Sequence, residues 1–108
     1  MKAATREHSG TTIVDVSGDI DMGTSPGLRK LLMESLTKTA RLVVNMGEVR
    51  YIDSSGIASL VEVLMNARNN KKQLVLFGLN KTVQEVLQLT RLATVFEIRE
   101  TEEEALQA

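Results

Sequence analysis

Tyr51-Ile52-Asp53-Ser54-Ser55-Gly56-Ile57 separates two hydrophobic patterns of different period. Upstream, Arg41 to Met46 contains Leu42-Val43-Val44 without alternation, which marks a strand covered on both faces. Downstream, Ile57, Leu60, Val61 and Leu64 recur at helical spacing and define one apolar stripe. Residues 47–53 read as the loop that joins the strand to the helix. A buried strand that leads directly into an amphipathic helix is the repeating unit of a parallel α/β sheet.

The same unit recurs on both sides. Thr12 to Ser17 is rich in β-branched residues and reads as a strand ended by Gly18. Ser9-Gly10 is a turn signal, so residues 2–8 form an edge strand hairpinned onto it. Ser25-Pro26 is a helix start, with Ser25 as N-cap and Pro26 at the first helical position. Leu28, Leu31, Leu32 and Leu36 give that helix its buried face. The helix after residue 56 fades through Arg68-Asn69-Asn70-Lys71-Lys72, where cations suit the dipole and Asn tolerates a left-handed exit. Leu74 to Phe77 is a further apolar strand, closed by Gly78. Asn80 caps a third helix with Val83, Val86, Leu87 and Thr90 directed inward. Val95, Phe96 and Ile98 suggest a short last strand, and Thr101 with Glu104 forms a capping box for a terminal helix. The expected order is β-β-α-β-α-β-α-β-α: an α/β fold with a mostly parallel central sheet, an N-terminal edge hairpin and about four helices packed against it.

The 108 residues fit one domain, 1–108, and 43% hydrophobic with 25% charged residues is an ordinary globular mixture. The net charge of -1, without any Lys/Arg block, argues against nucleic acid as a partner. No cysteine is present, which removes disulfides, thiolate nucleophiles and cysteine-ligated metals, and fits a reducing compartment. Within the first eight positions polar residues arrive before any apolar signal-peptide core could form, and no apolar run approaches the ~20 residues that a membrane span needs. Cytoplasmic location without membrane insertion is the expectation. His8, the single histidine, stands alone in the polar N-terminal segment, so Ser54 and Ser55 have no evident base. Gly-x-Ser-x-Gly and phosphate-loop motifs are missing as well. No catalytic residue, metal or cofactor is expected.

Ser54 or Ser55 can cap the helix that follows them, and Asp53 and Gly56 can help the turn. A hydroxyl exposed at a helix N-terminus, on the C-terminal edge of a parallel sheet, is also well placed to accept a phosphate.

The run 51–57 resembles the phosphorylation-site motif of the anti-sigma-factor antagonists, members of the STAS domain family: apolar residues, Asp, Ser, a small residue, Gly and an apolar residue. Val16-Ser17-Gly18-Asp19-Ile20-Asp21 resembles the earlier motif of the same family, and the spacing of the two agrees. The resemblance runs from about Thr12 to Leu106. It implies that Ser54, rather than Ser55, carries the phosphate, with Ser55 left to cap the helix. It further implies that Asp21, Asp53, Ser54, Ser55, Gly56, Ile57 and Ala58 meet the partner. The implied partner is an anti-sigma factor that is itself a serine kinase of the histidine-kinase-like ATPase fold. The unphosphorylated form binds it and frees sigma factor, phosphorylation ends the association, and a PP2C-type phosphatase resets the switch. The protein is expected as a monomer or weak dimer.

Ala58 departs from the family pattern, where a second Gly is common. Some family members serve other partners, in stress-signalling assemblies or lipid-transport complexes. An aspartate-phosphorylated receiver domain also shares the size, the β/α order and the early acidic pair Asp19/Asp21, but here no Lys follows the last strand to hold an acyl phosphate.

Overall fold

Ser9 and Gly10 take φ of +50° and +82°, the left-handed pair that matches the twist of a two-residue hairpin. They join β1 (Lys2–His8) to β2 (Thr11–Ile20), paired antiparallel from His8↔Thr11 to Lys2↔Ser17. The remaining elements are α1 (Ser25–Leu36), β3 (Arg41–Ile52), α2 (Ser54–Asn69), β4 (Gln73–Phe77), α3 (Lys81–Leu89), β5 (Glu97–Arg99) and α4 (Glu102–Leu106). The computed structural model describes all of residues 1–108. The five strands lie in the order β1-β2-β3-β4-β5, and every pair after the first hairpin is parallel.

Each crossover steps the same way across the sheet. Right-handed crossovers that step one way place their helices on one face. The main core therefore lies between that face and α1, α2 and α3, and holds 22 buried residues. The other face carries a cluster of 5, in which Ala105 of α4 covers Ile13, Val43, Val75 and Phe77. The expected capping box starts α4, with the Thr101 hydroxyl accepting from the Glu104 amide at 3.2 Å. Arg6 of β1 holds α4 down: its Nε meets Asp15 at 2.7 Å and its fork also pairs with Glu102. Beside this guanidinium, both carboxyls are held below the usual carboxylate range. No helix is long and apolar enough to cross a membrane.

Several local expectations change. Gly18 does not end its strand; it sits within β2 at φ +87°, and the strand continues to Ile20. Residues 47–52, expected as a loop, continue β3. Its register against β2 slips once between Asp15/Ser17 and once between Gly18/Asp19, so β3 holds one extra residue at each place. These bulges rotate the strand, and they bring Met46, Val49 and Ile52 to the core at intervals of three rather than two. Thr24, not Ser25, is the residue preceding α1, and its side chain makes no cap bond. Thr90 is exposed rather than inward, its hydroxyl donating to the Val86 carbonyl at 2.9 Å within its own helix. Lys71, rather than an Asn, takes the left-handed exit from α2, at φ +57°. The last strand is Glu97–Arg99, with Phe96 buried just before it.

Asn80 caps α3 as expected and also reaches the bulged strand. Its Oδ1 accepts from the Val83 amide at 2.8 Å, and its Nδ2 donates to the Val49 carbonyl at 2.7 Å. Asn80→Ala should lose both bonds and lower stability by about 1–2 kcal/mol. Urea unfolding measures it, and an unchanged midpoint would show that water replaces both partners.

Candidate functional site

Two loops at the C-terminal ends of β2 and β3 meet, and the chemistry-bearing residues lie on them. The Asp53 amide donates to the Ile20 carbonyl at 3.1 Å, which fastens the second loop to the first. Gly56, in the first turn of α2, is pressed against the strand ends. A Cβ there would lie 2.6 Å from Ile52 Cγ1 and 2.7 Å from Ile20 Cγ2, closer than side-chain atoms pack. Only a glycine lets the helix start directly on top of these two isoleucines, and that contact fixes the height at which Ser54 emerges from the sheet.

Asp53 is the N-cap of α2, a role expected of Ser54 or Ser55. Its Oδ1 accepts from the amides of Ser55 at 2.9 Å and Gly56 at 3.1 Å, and from the Ser55 hydroxyl at 2.5 Å. A carboxylate one position earlier outcompetes either hydroxyl because its bond to the helix amides is charge-assisted. The Asp53 carboxyl is accordingly held below the usual aspartate range. The Ser55 hydroxyl is the main cause, the Gly56 amide the next, and the amides of Ser55 and Met22 add to it.

The two serines are thereby distinguished. Ser55 is half-buried, engaged by Asp53 and 3.4 Å from the Ser25 hydroxyl of α1. Ser54 is exposed at the first helical position, and its hydroxyl faces solvent. A phosphate on Ser54 finds two first-turn amides already occupied by Asp53, so the helix end gives it less shelter than a bare N-terminus would. Its added charge of about -1.5 to -2 is displayed at the surface beside a carboxylate.

Asp21 organises the other loop. Its Oδ1 accepts from the amides of Gly23 at 3.0 Å and Thr24 at 3.1 Å, while its own amide donates to Thr24 Oγ1 at 2.9 Å. The Thr24 hydroxyl donates onward to the Asp19 carbonyl at 3.1 Å. This closed ring of bonds explains why α1 needs no capping serine. Ser25 is instead buried, 3% exposed, facing Ser55. Asp19 pairs with Arg50 at 3.5 Å on an exposed edge.

Of the seven residues expected to meet a partner, Asp21, Asp53, Ser54, Ser55 and Ala58 reach the surface here, at least in part. Gly56 and Ile57 are buried and support the surface from beneath. Sequence reasoning did not find Thr24 and Ser25 as parts of the site, nor Met22, which stands 78% exposed at the apex of the first loop. For Met22 a signal existed: an apolar residue between Asp21 and Gly23 has no core to serve.

The STAS domain model matches residues 2–105 of the chain. The chain is 31% identical over 90 residues to the anti-sigma-B factor antagonist of Listeria monocytogenes, covering 82% of this chain and 79% of that protein. Among solved structures, an anti-sigma factor antagonist from Mycobacterium paratuberculosis matches with a TM-score of 0.89 at 23% identity, covering 98% of this chain and 91% of that one. The Bacillus cell fate determinant SpoIIAA in its phosphorylated form matches with a TM-score of 0.74 at 17% identity, covering 98% and 97%.

Gly56→Ala gains about 1 kcal/mol of helix propensity but overpacks two buried isoleucines at a cost of about 1–3 kcal/mol. The expected net result is a lower unfolding midpoint together with shifted methyl resonances of Ile20 and Ile52; unshifted methyls would show that the first turn is not seated on them. For Asp53, the folded pKa lies below the unfolded value of about 3.9. Its stabilising effect is thus present above that value and is lost as pH falls through the folded one. Asp53→Asn should lower the urea midpoint at pH 7, and the gap to wild type should close as pH falls below the unfolded value of about 3.9 and through the folded one. A gap that stays constant as the solution is acidified would show that the charge of Asp53 contributes nothing.

Proposed function

The chain belongs to the STAS domain family, and from that premise we propose that it is an anti-sigma factor antagonist that works by partner switching on Ser54. The unphosphorylated protein binds an anti-sigma factor that is also a serine kinase, and sigma factor is released. The kinase transfers phosphate to Ser54 and the complex separates; a PP2C-type phosphatase restores the binding form. The protein acts by binding and by being modified, not by turnover of its own.

The observation that carries this reading is the difference between the two adjacent hydroxyls. Ser54 is exposed and free to enter a kinase site, whereas Ser55 is engaged by Asp53 and backed by Ser25. The 31% identity to an anti-sigma-B factor antagonist supports the partner class. A phosphorylated form of SpoIIAA, which shares the fold, supports the modification. Switching needs no refolding. The cap made by Asp53 does not involve the Ser54 hydroxyl, so phosphate changes the charge of the surface and leaves the helix start in place. A loss of ~1.4 kcal/mol in the complex is already a tenfold weaker affinity, and burying an unpaired charge costs at least that much.

Phosphosite mapping after incubation with the cognate kinase and ATP, beside calorimetry of two variants, tests the proposal. Phosphate is expected on Ser54. Ser54→Ala should bind like the unmodified protein, and Ser54→Asp should bind about tenfold or more weakly, a difference of ~1.4 kcal/mol. Both variants should keep wild-type stability to within about 0.5 kcal/mol, as for other surface changes. Phosphate confined to Ser55, or equal affinities of the two variants, would overturn the mechanism.

A further inference from the structure

Of the five methionines, Met46 is fully buried, Met33 packs half-buried against the core and the first residue, Met1, is 38% exposed; Met22 at 78% and Met65 at 49% stand out furthest. Their positions are related through Ser54. The buried side of α2 is formed by Gly56, Ile57, Leu60, Val63, Leu64 and Ala67. On the opposite side, the helical period brings positions 54, 58, 61 and 65 into one row. That row reads Ser54, Ala58, Val61, Met65, and eleven residues at helical rise extend it by about 16 Å. Beyond its upper end stands Met22, whose amide lies against the carboxylate of Asp53. Glu62, beside the row, is drawn to Arg29 of α1 at 2.9 Å, and Ala58 and Met65 stand exposed while Val61 is half-buried against the core.

Resting on the reading above, we propose that Met22 and Met65 are the two apolar anchors of the partner surface, one on each side of Ser54. The kinase is inferred to present a shallow apolar groove that takes Met22, Ala58 and Met65. At the loop end the groove should carry a basic side chain, because Asp19, Asp21 and Asp53 crowd there with Arg50 already paired to Asp19. Two physical arguments single out the methionines. A flexible, polarisable thioether fits an irregular apolar groove well and has little reason to be held in water. Met22 is also presented by a loop whose backbone is closed by Asp21 and Thr24, so docking it orders only one side chain. Anchors of this kind concentrate the binding energy at a few desolvated positions. A phosphate on Ser54 then falls between the anchors, at the part of the interface that excludes water most completely.

The test is titration calorimetry of the full chain against each serine-kinase anti-sigma factor of the host, purified singly. The variants are Met22→Gln, Met65→Gln and, as a remote control, Leu89→Gln at an 85% exposed position of α3. Gln keeps the length of the side chain and nearly the helix propensity of Met, so melting temperatures should stay within a few degrees of wild type. Each methionine variant should raise Kd about tenfold or more, and the Leu89 variant should not. If a kinase binds wild type and either methionine variant equally well, the inference falls while the function proposed above stands. If no kinase binds wild type or Ser54→Ala, both fall. A melting temperature that collapses in either methionine variant would make that residue structural and overturn the inference. So would sedimentation showing a wild-type dimer that the methionine variants dissolve, because the row would then bind a second copy of the chain.

Discussion

The site depends on the contact between the first turn of α2 and the ends of β2 and β3. Gly56 lies so close to Ile20 and Ile52 that a methyl group would not fit without displacing them. Both isoleucines are buried, so they form a firm seat. Everything above that seat inherits its position: Asp53 turns back over the helix end, Ser55 is drawn inward to Asp53 and Ser25, and Ser54 is left outside. The switch proposed on Ser54 needs its neighbour to be unavailable, and the seat achieves this by bringing Ser55 to Asp53 and Ser25.

Asp21 and Asp53 do equivalent work in the two loops. Each uses one carboxylate oxygen to gather the amides that follow it, and each thereby holds a helix start that has no other cap. Both carry their charge at the surface as well. Structure and recognition are therefore not separable at these positions. Removing the charge alters a helix start and the electrostatics of the proposed docking edge together, which is why the exposed Ser54, Met22 and Met65 are cleaner probes of the proposed binding than either aspartate.

In the switch proposed for Ser54, the phosphate acts on an otherwise settled surface. Because the amides of Ser55 and Gly56 serve Asp53, a modified Ser54 gains little from the helix end and keeps most of its charge exposed. Such a group changes what can dock far more than it changes the fold. The five strands and the 22-residue core lie below this edge and are untouched by it.

Much was legible from local pattern, because local physics decides it. The hairpin at Ser9-Gly10, the cap at Asn80, the capping box at Thr101 and the β/α order are all set by residues within a few positions of one another. The same holds for the identity of Asp53-Ser54-Ser55-Gly56 as the junction of a strand and a helix. Long-range pairing decided the rest. Residues 47–52 look like a loop because bulges break their apolar period, and only pairing with β2 beyond Gly18 makes them a strand. The cap of α2 went to Asp53 because a carboxylate competes better than a hydroxyl once the backbone has turned. The burial of Ser25 against Ser55, like the exposure of Met22 and Met65 on either side of Ser54, required α1, α2 and two loops to be brought together. Sequence spacing by itself carries no record of that meeting.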